Sequence, residues 1–146
     1  MTNTQNTQIL QRDTDEKASA QSRRLFEKGL SLHQKGQMAQ AEALYKEVLR
    51  IQPEHFDAVT LLGISAAQTA HYLRAEAYFR KAIALDPGNA DSFNNLGLVL
   101  HELGKLDQAL ESYEHAILLQ PDYADVYNNR GNILQELKEF KLALES

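Results

Sequence analysis

Helix-breaking residues recur in this chain at one fixed interval. The three prolines, Pro53, Pro87 and Pro121, are 34 residues apart, and four of the seven glycines, Gly29, Gly63, Gly97 and Gly131, repeat at the same spacing. Gly36 and Gly104 are separated by 68 residues, twice that period, and Gly88 directly follows Pro87. Punctuation with a period of roughly 20 to 50 residues means a repeat architecture, in which each unit buries its apolar face only by stacking on its neighbours. Length alone would suggest one compact domain; the register argues for a stack of units instead.

Rows of 34 divide the chain into 22–55, 56–89, 90–123 and an incomplete 124–146. Each complete row holds two helical stretches. The first carries apolar residues at helical spacing, as in Phe93, Leu96, Leu100 and Leu103, and ends near Gly104, which tolerates a left-handed helix terminus. The second runs from about Asp107 to Gln120, with Ala109, Leu110, Tyr113, Ala116 and Ile117 on one side. Pro121 then stops it, because proline lacks the N–H and disfavours helix at the residue before it. Asp57, Asp91 and Asp125 fall at the opening of the next helices, where a carboxylate meets the positive end of the dipole.

Gly97 falls in mid-helix, where glycine costs roughly 1 kcal/mol against alanine. A recurrent cost of that kind implies close approach of a second helix. Ala41, Ala75, Ala109 and Ala143 recur in register as facing small residues, flanked by the aromatics Tyr45, Phe79 and Tyr113. These columns are read as scaffold that touches no ligand.

The pattern resembles the tetratricopeptide repeat family. F-x-x-L-G-x-x-L from Phe93 to Leu100, followed by Ala109, Tyr113, Ala116 and Pro121, matches that family's signature, as do Val59, Leu62, Gly63, Ala75, Phe79, Ala82 and Pro87 in the second unit. The first and fourth units depart in one column, where Lys28 and Arg130 replace the usual leucine and can lay their stems on the core. The resemblance implies an all-α fold, a right-handed superhelical solenoid of antiparallel helix pairs.

Both ends stand apart from the pattern. Residues 1–20 are polar and low in complexity, with Ile9 and Leu10 as a short apolar pair, and are expected to be a disordered leader entering the first helix between Asp13 and Ser22. Residues 141–146 supply less than half of a second helix for the fourth unit. So short a helix is marginal unless it packs on something. Leu142 and Leu144 would help leave an apolar edge, which points to a longer repeat array or to self-association through the uncapped unit.

Composition removes several classes of function. No cysteine is present, which excludes disulfides, thiolate metal sites and a cysteine nucleophile. The net charge of -5 argues against nucleic acid as partner. No stretch has the apolar length of a secretory signal or a membrane span, so no membrane association and a cytoplasmic location are expected. The histidines His33, His55, His71, His101 and His115 form no i, i+4 metal pair, and Leu103, Gly104 and Lys105 after His101-Glu102 break the H-E-x-x-H pattern. Gly63-Ile64-Ser65-Ala66-Ala67 lacks the second glycine of a nucleophile elbow. Neither catalysis, nor a metal, nor a cofactor is expected.

What remains is the surface that stacked units create. In this family the first helices line a concave groove that binds peptides. The corresponding stripe is Phe26, Leu30 and His33 in unit one, Thr60, Ile64 and Ala67 in unit two, Asn94, Leu98 and His101 in unit three, and Asn128, Asn132 and Gln135 in unit four. It grades from apolar to amide-rich. It contains no lysine or arginine, the residues with which chaperone adaptors of the family clamp a C-terminal carboxylate.

The doublets Asn94-Asn95 and Asn128-Asn129 offer donors and acceptors that can pair with any peptide backbone. Asn95 and Asn129 fall where the repeats of O-linked N-acetylglucosamine transferases, which these units look like, carry an asparagine ladder; Glu27 and Leu61 interrupt it earlier. Two readings follow. One is a non-catalytic module that binds a peptide or partner protein; the other is the substrate-recognition repeats of a larger enzyme such as a glycosyltransferase.

Overall fold

The computed structural model describes the backbone of residues 2–146 and side chains from residue 4 onward. Among the described residues there are seven helices and no strand: α1 (Thr2–Gln34), α2 (Met38–Ile51), α3 (Phe56–Gln68), α4 (Tyr72–Leu85), α5 (Ala90–Glu102), α6 (Leu106–Leu119) and α7 (Ala124–Glu145). They fall into two compact units, one ending at Leu61 and the other beginning at Leu62, so the division lies inside α3.

Three of the connections are one turn made three times. Gly36, Ala70 and Gly104 each adopt a left-handed backbone, with φ of 74°, 60° and 72°. In each case the next residue's N–H reaches back across the helix end: Gln37 to Leu32 O (2.9 Å), His71 to Ala66 O (2.8 Å) and Lys105 to Leu100 O (2.9 Å). Carbonyls that the helix leaves without partners are thereby satisfied, and the chain reverses. The prolines close the other connections, following C-caps Gln52, Asp86 and Gln120 whose N–H groups still bond the carbonyls of Val48, Ala82 and Ala116. Asp57, Asp91 and Asp125 lie in the first turns of α3, α5 and α7, as their register anticipates.

In the first unit, α2 lays its buried Ala41, Tyr45 and Val48 against α1. The Tyr45 ring covers Gly29, where a Cβ would lie 2.6 Å from the ring. Phe26 leans on Tyr45 and on His55, with ring centroids 5.8 and 4.8 Å apart. Ser22, buried, donates to Gln52 Oε1 at 3.1 Å and ties the middle of α1 to the C-cap of α2.

In the second unit the core is continuous from Ala66 and Phe79 through Leu96, Val99, Leu100 and Tyr113 to Val126 and Ile133. Phe79 covers Gly63 and Tyr113 covers Gly97 in the same way. The small columns therefore do what their register predicts: they let a ring approach a backbone.

Both chain ends differ from expectation. Residues 2–20 are helical, continuous with the rest of α1. Nothing from Thr2 to Gln34 breaks a helix apart from the packed Gly29, and local pairs such as Gln11 Nε2 donating to Asp15 Oδ1 (3.1 Å) support it. At the other end, residues 141–146 do not start a second helix; α7 runs unbroken to Glu145. Lys138 stands 34 residues after Gly104 in the turn column and stays helical. A lysine, unlike a glycine, is penalised by its Cβ in a left-handed bend, so this column no longer favours leaving the helix.

Candidate peptide-binding groove

The groove candidates occupy the first helix of each pair, and the structure sorts them into three groups. In the first unit, Phe26 and His33 turn toward α2: Phe26 packs as described, and His33 Nδ1 lies 3.4 Å from the Tyr45 hydroxyl. Both are half-buried members of that helix pair, as is Leu30. Thr60 is half-buried with its Oγ1 enclosed and without a hydrogen-bond partner.

In the second unit, Ala67, Leu98 and His101 share one surface. Together with Gln68, Tyr72, Val99 and Glu102 they line an open cleft of about 300 Å³ between the C-terminal end of α3, α4 and α5. Ile64 packs against the core beneath. Leu98 is 42% exposed, an apolar side chain held in solvent by its place on α5. His101 Nε2 meets Glu136 Oε1 at 2.7 Å, which joins α5 to α7 at the same edge.

The asparagines form the third group, and the tertiary structure changes what they offer. Asn129 Nδ2 donates to Asn94 Oδ1 at 3.1 Å, Asn94 Nδ2 donates to the Tyr123 hydroxyl at 3.4 Å, and that hydroxyl donates to Asp91 Oδ1 at 2.5 Å. Asn94 is only 9% exposed and spends its amide on this relay. Burial, then the bond to Asp91, push the Tyr123 phenol up to about 12. The outer end of the relay is Asn129, half-buried. Asn95 is half-buried, and Asn128, Asn132 and Gln135 are exposed along α7, with Gln135 donating to Glu139 at 3.2 Å.

Tyr123, Asp91 and Glu136 escaped the sequence reading. Asp91 was assigned only to the helix dipole, and Tyr123 stands in a column that holds His55 and Asn89 in the other units. Asn89 caps its helix by accepting from Ser92 N (2.9 Å), and His55 does the same from Ala58 N (3.1 Å). Tyr123 makes no such cap and reaches back to Asp91 at the start of α5 instead. Among the described residues no group of three or more metal-binding side chains comes together, and no helix is long and apolar enough to cross a membrane.

Helix pairs repeated in register, with rings set over glycines and an amide-lined face, define an α-helical repeat protein. The comparisons give the family. Two models described as tetratricopeptide repeat match residues 26–90 and 78–111, and a third, described as TPR repeat, matches 97–138. The chain belongs to the tetratricopeptide repeat family. No curated protein matches its sequence.

Among solved structures it is similar to a mutant O-GlcNAc transferase of Thermobaculum terrenum, at 31% identity and a TM-score of 0.72, over 80% of this chain and 22% of that one. The chain thus spans about a fifth of that enzyme. It also resembles the first TPR of Spaghetti (RPAP3) bound to an HSP90 peptide, at 23% identity and a TM-score of 0.77, over 80% of this chain and 93% of the other. The Sgt2 TPR domain of Aspergillus fumigatus follows at 18% and 0.75, over 83% and 82% of the two chains. These last two likenesses concern the fold alone.

Proposed function

We propose that this chain is a protein-interaction module that holds an extended segment of a partner protein along the α5–α7 surface of its second unit, without chemistry of its own. The observation that carries this reading is the relay ending at Asn129. It orients one half-buried amide by three successive hydrogen bonds. An amide held in one orientation recognises a backbone N–H whatever side chain the peptide carries. Leu98 and the cleft beside it supply apolar contact next to the amides. With no cysteine in the chain, we read its setting as cytoplasmic.

The test is an array of extended peptides probed with the full chain, followed by the Asn95→Ala, Asn129→Ala double variant. Peptides retained by the chain should lose about tenfold in affinity with the variant, the worth of one or two backbone hydrogen bonds. Unchanged affinity would sink the reading.

A second reading has its own observation: 31% identity to an O-GlcNAc transferase that this chain covers for 22% of its length. On that reading the repeats select substrates for a catalytic domain. Sequencing the gene downstream of the Ser146 codon separates the two: a glycosyltransferase domain supports it and a stop codon removes it.

A further inference from the structure

Each buried ring follows, at a distance of 12 residues, a side chain that matches it. Tyr45 follows His33, Tyr113 follows His101, and Phe79, which has no hydroxyl, follows Ala67. In the first unit the match is a contact, with His33 Nδ1 lying 3.4 Å from the Tyr45 hydroxyl. In the second unit it is not. The Tyr113 hydroxyl is buried with no partner among the described residues, and His101 is held elsewhere, its Nε2 donating to Glu136 Oε1 at 2.7 Å. An unpaired buried hydroxyl is costly, and native chains leave few of them.

His101 and the hydroxyl are close neighbours. Burial raises the Tyr113 phenol to about 12, and the charge of Glu102, the residue after His101, adds to the shift. The His33 pose shows which ring atom serves, since its Nδ1 faces the phenol. An imidazole that donates from Nε2 to Glu136 keeps Nδ1 free to accept, so one tautomer suits both partners and only the side-chain torsions change. The side chains of His101 and Glu136 are 30% and 40% exposed, open enough for one to turn and another group to enter.

Glu136 is what keeps His101 from Tyr113. A carboxylate gives up an N–H donor readily only for another donor, and a cation is the stronger one. His101 borders two clefts, one of about 300 Å³ with Leu98 and one of about 240 Å³ with Glu136. Both are lined by Glu102, and among the described residues neither has a lysine or arginine in its walls. We propose that Glu136 receives a lysine or arginine side chain of the bound partner segment, next to an apolar residue seated at Leu98, and that His101 then turns to the Tyr113 hydroxyl. This rests on the α5–α7 surface holding such a segment. The basic residue gains a carboxylate and the buried hydroxyl gains a partner in one step, which adds charge selectivity to a groove whose asparagines read the backbone alone.

The exchange is tested first on the full chain without any peptide. Tyr113→Phe alone should raise the melting temperature, because the hydroxyl it removes is unpaired. With Glu136→Ala in place His101 is released, and the same change should now lower the melting temperature. In a chain carrying both His101→Ala and Glu136→Ala it should raise it again, which separates the exchange from a general loosening of α7. A Tyr113→Phe effect that is the same with and without Glu136 would overturn the exchange. The second arm is an array of extended peptides in matched sets that differ at one position, as lysine, methionine or glutamate. Lysine members should bind about fivefold more tightly than their methionine partners. That gap should narrow in salt and close in the Glu136→Ala chain. Peptides retained with no preference for lysine would refute the charge selectivity and leave the groove reading standing, whereas an array that retains nothing would remove both.

Discussion

Gly97 and Tyr113 face each other so closely that a Cβ on the glycine would lie 2.5 Å from the ring's Cε1. Tyr113 is fully buried, and its ring is confined by the core on every side. The glycine therefore weakens α5 locally and permits the burial of an aromatic ring, a gain of about 2–3 kcal/mol against a cost of about 1. Placing alanine at Gly97 should destabilise the chain by about 2 kcal/mol, because the ring cannot retreat. The same change at Gly131, where nothing lies within 4 Å, should stabilise it by up to about 1 kcal/mol. Urea denaturation of both variants checks the contrast; equal effects at the two sites would contradict it.

The Tyr113 hydroxyl is buried and has no hydrogen-bond partner, whereas Tyr45 in the same column has His33 within 3.4 Å and Phe79 has no hydroxyl at all. Tyr113→Phe removes an unsatisfied polar atom and leaves the ring in place. We expect it to raise stability by about 1 kcal/mol, the opposite of the usual sign for trimming a core residue. A lower denaturation midpoint would show that the hydroxyl has a partner.

Ala70 holds the left-handed turn position that Gly36 and Gly104 hold elsewhere, at φ 60°. A Cβ in that region costs about 1 kcal/mol. Ala70→Gly should recover most of it, seen as a higher melting temperature, and the reverse change Gly104→Ala should lose a similar amount.

Burial holds three phenols above the ordinary tyrosine range, Tyr45 among them. Tyr113 is pushed up to about 12 by burial, with the Glu102 charge adding to it, and Tyr123 to about 12 by burial and its bond to Asp91. A raised acid pKa means that the fold favours the neutral phenol. The resulting stability is complete below about pH 10, where the unfolded chain's tyrosines ionise, and is lost as pH rises toward 12. Melting temperatures from about pH 9 upward should fall steeply in this window and less steeply in Tyr123→Phe. Of the six tyrosines, Tyr45, Tyr113 and Tyr123 should ionise later than the others in an ultraviolet titration of the folded chain.

Much of the fold was legible because helix breakers are local. A proline or a left-handed glycine acts on its own peptide group, so its position marks a boundary whatever surrounds it. The groove was legible only in part. Asn94 and Asn129 read as equal members of an exposed ladder, yet one is buried and the other is its partner across two helices. Their difference rests on Tyr123, which takes a capping column and uses it for a contact 32 residues back, with Asp91. No local spacing announces that.

The sequence by itself determined the period, the helix pairs and the columns of small and aromatic residues, since these depend on propensity and backbone sterics. Only the tertiary structure decided which members of a column do the same work. Leu100 is core and Leu134 is surface, Gly97 is covered and Gly131 is open, and Gly104 turns the chain where Lys138 lets the helix continue. In each pair the chemistry is similar or the register identical, and the outcome follows from whether a second helix is there to pack against. Burial is a property of two surfaces, and a sequence column describes one.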